Sequence, residues 1–294
     1  MSAVDPAISL RGDARVRRRR IVNRVAEVAA LVAALAAVAV LSIVVLSVAK
    51  RGAGVLSWDF LTKPLPLFGL PGGGIAPLIV GSAVIVGLAT LIALPIGVLT
   101  ALFLSEFAPR RIRAPIQLAL DLMNGLPSII IGVFVFGLLI YGHTQSGWAG
   151  GFALSIVMLP LIARSTQEVL RLVPEMYRDG ALALGASRWR TVLGIVLPSA
   201  MGGILTGTVL AIARAAGETA PLLFTTSIYV NSVSTDFRHA LPNMPVQIFI
   251  WSESPDPLDQ ERAWATALVL LVFVLVTSLL ARGALARWRK KMGQ

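Results

Sequence analysis

Apolar runs long enough to cross a bilayer recur along this chain, at about 26–48, 75–105, 116–140, 148–163, 191–213 and 263–281. A hydrocarbon core of about 30 Å takes roughly 20 helical residues. Inside it the chain must satisfy its own backbone hydrogen bonds, which leaves helices or closed barrels. The runs are helix-length, so the expected fold class is all-α, a polytopic membrane protein with six transmembrane helices. Charge agrees: only 14% of residues are charged, against about 25% in a soluble domain. The chain has no cysteine and two histidines, His143 and His239. Disulfides and thiolate chemistry are excluded, and no metal site is expected.

The segments differ in quality. The first holds only Glu27, at its edge, and is far longer than the h-region of about 7–15 residues in a secretory signal; it is read as an uncleaved span. The second has no charge from 75 to 105 and must tilt, bend at Pro95 or extend beyond the bilayer. The fourth is the weakest, at 148–163, with Pro160 inside it and Arg164 after it. The third carries Asp121, an acid without an obvious partner in the sequence.

A net charge of +11 raises nucleic acid as a partner in a soluble chain, but here the placement explains it. Twenty of the 26 Lys and Arg lie in four regions: the N-terminal tail, 106–114, 164–190 and the C-terminal tail. The alternate loops hold only Lys50, Arg51, Lys63, Arg238 and Arg262. Basic residues accumulate on the cytoplasmic side, so six spans with both termini cytoplasmic are expected, and no nucleic acid. The organisation is then a basic tail 1–25, a first span 26–48, an external loop 49–74, a membrane core 75–285 with a cytoplasmic loop at 174–190, and a second basic tail 286–294. In the long outer loop 219–262, the apolar stretch from Thr219 to Val230 is too short to span and reads as a re-entrant or interfacial element.

Two places hold candidate function. In the 174–190 loop, Pro174 can start a helix, Ala181, Ala183 and Ala186 keep one side of it shallow, and Gly185 can stop it. Such a helix is either a docking element for another protein or an unpartnered surface helix. At the end of segment five, Arg214 and Glu218 stand four residues apart, on one face of a continuous helix. A charge in a span is a functional-site hypothesis, and the Arg fork suits phosphate-like oxyanions. Glu218 is placed to hold Arg214 or to accept a proton-bearing oxygen, and Gly217 allows close approach. A structural ion pair, or a pair at the outer interface, also fits the spacing. In segment three Asn124, Ser128 and Gly132 surround Pro127; Ser128 and Gly132 form a small-x-x-x-small face for packing or for the pathway.

The loop pattern Asp179-Gly180-Ala181, then Gly185, then Ile195-x-Leu197-Pro198 resembles the EAA loop of ABC importer permeases, which fits into a cleft of the ATPase subunit. Asp179 stands where that family has Glu, and Gly180 where it has Ala. Gly180 loosens the helix by about 0.8–1.0 kcal/mol relative to Ala. The run Arg214-Ala-Ala-Gly217-Glu218-Thr219-Ala220-Pro221 resembles the signature of PstA-type permeases of phosphate importers. A related Arg–Glu arrangement occurs in the sibling PstC type. The resemblance covers about 75–285 and implies the type I ABC importer permease architecture. It also implies a homologous second permease subunit, two ATPase subunits and an external phosphate-binding protein, within the cell membrane. The expected activity is alternating-access import of phosphate. Arg214, Gly217, Glu218 and Thr219 are expected on the substrate path, and Asp179, Gly180, Ala181 and Gly185 at the ATPase. No residue is expected to be catalytic. The chain has no Gly-x4-Gly-Lys-Ser/Thr loop, so it is expected to need no cofactor, with ATP hydrolysed on partner subunits. The rivals are a permease for sulfate, molybdate or another oxyanion, a proton-driven secondary transporter using Glu218 and Asp121, and a non-transporting scaffold.

Overall fold

The computed structural model describes residues 14–66, 71–226 and 232–291, and among them it contains helices and no strand. Residues up to Lys50 form one unit and those from Arg51 onward another. The first unit is helix α1 (Ala14–Gly52) as far as Lys50, whose apolar stretch is long enough to span a membrane. Its start at Ala14 takes in part of the basic tail, of which residues 1–13 lie outside the described part.

The second unit opens with the short α2 (Trp58–Thr62), capped by the Ser57 hydroxyl, which accepts from the Phe60 N–H. Then come α3 (Ala76–Leu102), α4 (Arg110–Gly125), α5 (Ser128–Val135), α6 (Gly147–Leu172), α7 (Glu175–Ala183), α8 (Arg188–Thr191), α9 (Leu197–Ala215), α10 (Ala220–Thr225), α11 (Met244–Glu253) and α12 (Pro257–Lys291). Three π-helical turns extend these helices: Phe103–Phe107 after α3, Phe136–Ile140 after α5, and Val192–Val196 joining α8 to α9.

Close glycine contacts fix how the helices run. Gly97 lies against Ile162 and Gly151 against Leu88, so α3 and α6 are parallel. Gly203 lies against Val169 and Gly207 against Ser165, so α9 is antiparallel to α6. Two parallel helices require the intervening chain to return, and that return is α4 and α5.

Among the described residues five helices are long and apolar enough to cross a membrane, and up to six spans result when α4 and α5, with its π-helical turn, count as one. This is where the structure departs from a simple six-span reading. The third segment is two helices bent by 99°. Leu126 precedes Pro127, and the proline ring drives it to an extended backbone with φ −68° and ψ 134°. The stretch from Ser128 to Ile140 alone covers only about 20 Å, less than the hydrocarbon core.

The fourth segment, weak at 16 residues in the sequence, is a 26-residue helix. Pro160 does not end it, and Arg164 lies within it because Asp121 on α4 takes up its charge. The second extends through Pro95 as an unbroken helix. The stretch beginning TAPLLF forms α10, whose Pro221, Leu222 and Thr225 are buried. It turns back into the bundle against α5 and α6, and residues 227–231 lie outside the described part.

The main core joins Ile85, Ala89 and Ala93 of α3, Leu154, Met158 and Ile162 of α6, and Ala211 and Ala215 of α9. A second cluster closes one end, from Ala101 and Leu102 through Leu170 and Val173 to Val192 and Val196. That end carries the basic residues of 106–114 and 170–190, while Phe60, Ile75, Leu78, Met244 and Trp251 form the cluster at the other. The two internal basic regions therefore share one end, and Phe60 and Ile75 share the other with Met244 and Trp251.

At the loop end, Gly81 lets the Pro242 carbonyl approach so closely that a Cβ would stand 1.9 Å from its oxygen. Gly81→Ala forces backbone apart, at an overpacking cost of about 1–3 kcal/mol. The purified variant is expected to unfold at a lower temperature in a detergent thermal melt; an unchanged midpoint would refute this contact.

Candidate functional site

The fifth span ends in a controlled break. The N–H groups of Ala216, Gly217 and Glu218 donate to the carbonyls of Ile212, Arg214 and Ala215 at 2.9, 3.1 and 3.1 Å, so the last turn of α9 tightens without orphaning its donors. The chain restarts at α10, where Leu223 N–H donates to Thr219 O at 3.0 Å. Pro221 sits in the first turn of α10, where its missing N–H costs no intrahelical bond.

Arg214 and Glu218 face each other across this break, with Arg214 Nε 3.8 Å from Glu218 Oε1. Glu218 is 19% exposed and Arg214 60%. At that separation the carboxylate orients the guanidinium without consuming its donors in hydrogen bonds. Most of the Arg fork remains available to an anion. Gly217 is exposed, and a Cβ there would meet only the Arg214 carbonyl, at 3.7 Å. Thr219 is half-buried beside it.

The pair stands level with the middle of α6. Continuing the antiparallel register of Gly203 with Val169 and Gly207 with Ser165 brings Ala215 level with residues 157–158, near the middle of α6. The core around Ala211 and Ala215 is likewise built from mid-helix residues of α3 and α6.

Of the segment-three candidates, Gly132 is brought to the break. A Cβ on it would stand 2.8 Å from Pro221 Cα and 3.2 Å from Ala220 O, so α5 packs backbone to backbone on the first turn of α10. Asn124 is exposed and Ser128 half-buried at the α4–α5 bend. Neither makes a side-chain hydrogen bond with the described residues.

The 174–190 loop forms the expected helix, α7, begun at Pro174 and stopped at Gly185. Gly185 has φ +81°, a left-handed conformation that favours glycine, and flanking bonds from Gly185 N–H to Leu182 O and from Ala186 N–H to Ala181 O close the end. Ala181 is buried, Asp179 and Gly180 are exposed, and nothing lies within 4 Å of a Cβ on Gly180. Around them Leu172, Met176, Tyr177, Leu184 and Trp189 are exposed, Leu184 to 91%. This apolar knob lies at the basic end of the bundle.

Sequence reasoning missed what holds this loop. Arg178 donates to both carboxylate oxygens of Glu106, at 2.8 and 3.3 Å, and also to the carbonyls of Val173 at 2.7 Å and Leu170 at 3.0 Å. Phe107 stacks on Trp189 with ring centroids 4.3 Å apart. The available signal was Glu106 itself, the first charge after the uncharged 75–105 run. Asp121 does have a partner: Arg164 Nε donates to it at 3.1 Å, Arg164 Nη2 donates as well, and Gln117 adds a bond at 3.1 Å. In the first two turns of α12, Asp259 and Arg262 form a buried pair, with Arg262 also donating to Gly72 O at 3.2 Å. Among the described residues no group of three acids or histidines could hold a metal.

Comparison with known proteins agrees with this architecture. Residues 93–290 match the family described as binding-protein-dependent transport system inner membrane component. The chain is 37% identical over 271 residues to the phosphate transport system permease protein PstA of Yersinia pestis, covering 92% of each. To the PstA protein of Haemophilus influenzae it is 39% identical, over 81% of this chain and 85% of that one. In fold it is similar to a chain of a bacterial ABC transporter involved in alginate import, with TM-score 0.61, 16% identity, and 91% and 99% of the two chains covered. It also matches a chain of the inward-facing MetNI methionine ABC transporter, with TM-score 0.56, 16% identity, and 73% and 94% covered. The chain belongs to the family of binding-protein-dependent transport system inner membrane components.

Proposed function

We propose that this chain is a PstA-type membrane subunit of an ATP-driven importer of inorganic phosphate. The observation that carries the reading is the mid-bundle Arg214–Glu218 pair at the α9 break, in a chain resembling phosphate permeases over nearly its whole length. Both termini face the cytoplasm, as the basic residues indicate. Its partners are a homologous second permease subunit, two ATPase subunits and an external phosphate-binding protein; ATP is bound and hydrolysed by the ATPase subunits.

The chemistry follows from the pair. Phosphate carries negative charge into a low-dielectric bundle, where it needs a fixed counter-charge and hydrogen-bond donors. Arg214 supplies both, held by Glu218 but not consumed by it. Glu218 accepts a hydrogen bond from a protonated phosphate oxygen, which favours a ligand carrying a proton over one that does not. The exposed Asp179–Gly185 helix docks in a cleft of an ATPase subunit. Movement there switches the path between outward-open and inward-open states, and the exposed Gly217 with the half-buried Thr219 lines that path.

The complete complex in proteoliposomes is expected to import labelled phosphate only when ATP reaches the ATPase subunits, with excess sulfate or molybdate competing poorly. Full-rate uptake without ATP would sink the importer reading, and effective competition by sulfate or molybdate would sink its phosphate specificity. Arg214→Lys keeps the charge and loses the fork. Hydrogen bonds to charged groups contribute about 1.5–3 kcal/mol and tenfold corresponds to about 1.4 kcal/mol, so uptake by the assembled variant should fall at least about tenfold. Wild-type uptake by that variant removes Arg214 from the path.

A third expectation concerns docking. Gly185→Leu places a branched side chain at φ +81°, where the backbone alone costs an L residue about 1–2 kcal/mol. The variant should insert normally but co-purify with markedly less ATPase. Undiminished co-purification would separate the Gly185 turn from docking.

A further inference from the structure

The backbone of helix α7 lies beside its own downstream chain, α8 and the Val192–Val196 turn. Its polar connection to the other spans runs through Arg178. That side chain is 21% exposed and its partner Glu106 11%. All three guanidinium nitrogens are engaged, Nε and Nη2 with Glu106, Nη2 also with Leu170 O, and Nη1 with Val173 O. Glu106 closes the span that begins with α3, and Leu170 and Val173 close α6. One residue of the loop therefore joins the ends of two spans that run parallel.

The neighbouring residue makes the other half of the arrangement. Phe107 follows Glu106 in the same π-helical turn and stacks on Trp189, interplanar angle 26°, at the far side of the 174–190 loop. A π turn widens the helix locally and often marks a functional position. Phe103–Phe107 thus contacts the loop both within α7 and after it: at Arg178 through an ion pair, and at Trp189 through a ring. The Ala108 N–H donates to Phe103 O at 2.7 Å and closes the turn, so its two gripping side chains project from a backbone with satisfied bonds.

We propose that the turn Phe103–Phe107 clamps the coupling loop, Glu106 holding Arg178 and Phe107 holding Trp189, so that α7 moves as one body with the ends of α3 and α6. This rests on the reading of α7 as the helix that docks the ATPase. Glu106, Phe107, Arg178 and Trp189 are positioning residues that touch neither substrate nor ATP. With the clamp closed, displacement of α7 by the ATPase is delivered to three spans together: α9 through the chain, and α3 and α6 through the clamp. With the clamp open, α7 still occupies its cleft, but its motion reaches α9 alone.

The test uses the complete complex in proteoliposomes, with the amount of assembled ATPase matched. For the wild type, Glu106→Gln, Phe107→Ala and Arg178→Lys, two quantities are measured: ATP hydrolysed per phosphate imported, and stimulation of ATPase activity by the loaded external binding protein. Glu106→Gln and Arg178→Lys are expected to retain assembly and basal hydrolysis. Their ratio of ATP to phosphate should rise about three- to tenfold and their stimulation should fall to a similar extent, with a smaller change for Phe107→Ala. A merely structural pair lowers the quantity of complex without changing the ratio. An assembled Glu106→Gln complex with the wild-type ratio overturns the clamp.

The absence of cysteine in the chain allows a second measurement if that variant fails to assemble. In a Glu106→Cys/Arg178→Cys chain, the free thiols should leave transport uncoupled, and a short thiol-to-thiol crosslinker spanning the lost side chains should restore the ratio. If crosslinking abolishes transport or leaves the ratio unrestored, α7 does not move with α3 and α6. Stimulation by the binding protein is read independently of uptake, so a clamp failure changes neither wild-type quantity. ATP-independent uptake by the wild type instead refutes the function on which the clamp rests.

Discussion

Within hydrocarbon an unsatisfied backbone group costs several kcal/mol, and this constraint decides where the chain leaves regular helix. The three π-helical turns are departures in which the bonding continues with a wider ring. The break after α9 is a larger departure, and it is bonded through Ala216, Gly217 and Glu218. It is enclosed on one side by α5, with Gly132 against Pro221. Irregular backbone at this depth is tolerated where protein covers it or where it lines a cavity. The arrangement of α9, α10 and α5 meets the first condition on one side, while the exposed Gly217 and Arg214 face the other. The location of the charge pair and the location of the break thus have one physical cause.

The same constraint explains the small residues. Hydrocarbon gives helices little hydrophobic reason to associate, so close van der Waals contact has to hold them. Gly97, Gly151, Gly203 and Gly207 each admit a side chain of the neighbouring helix. These contacts also fix the axial register, which sets the height of Arg214 against α6. The packing glycines and the charge pair are linked: a slipped register between α6 and α9 would carry the pair away from the middle of the bundle.

How much was legible in the sequence follows from the range of each signal. Long apolar runs and the uneven placement of Arg are properties of contiguous chain, so the spans and the common end of the two internal basic regions could be read directly. Gly185 as a helix stop and the i,i+4 geometry of Arg214 and Glu218 are local as well. Arg178 with Glu106, 72 residues apart, and Arg164 with Asp121, 43 apart, meet only in the packed bundle. Reading Arg164 as a loop charge shortened the fourth helix, because an arginine ends a span only while it lacks a partner. Pro127 stands inside the third apolar run; that the chain turns by 99° there depends on Leu126 being forced to extended backbone and on α4 packing across α6 through Leu120 and Ile116.

Arg188–Ala215 is a single rod of 28 residues, since the π turn at Val192–Val196 widens the helix without breaking it. The loop that ends at Arg190 is at one end of this rod and Arg214 at the other, about 36 Å along the helix. Gly203 and Gly207 of the rod lie against α6, and Arg178 fastens the loop to the ends of α3 and α6, so the rod is tied to these spans at two heights. The two groups of residues that stand apart in the sequence are therefore mechanically connected by one helix, with α6 shared between its packing surface and its fastening. Sliding of α9 along α6 is opposed by the glycine contacts, so a displacement at the loop end of the rod carries α6 with it.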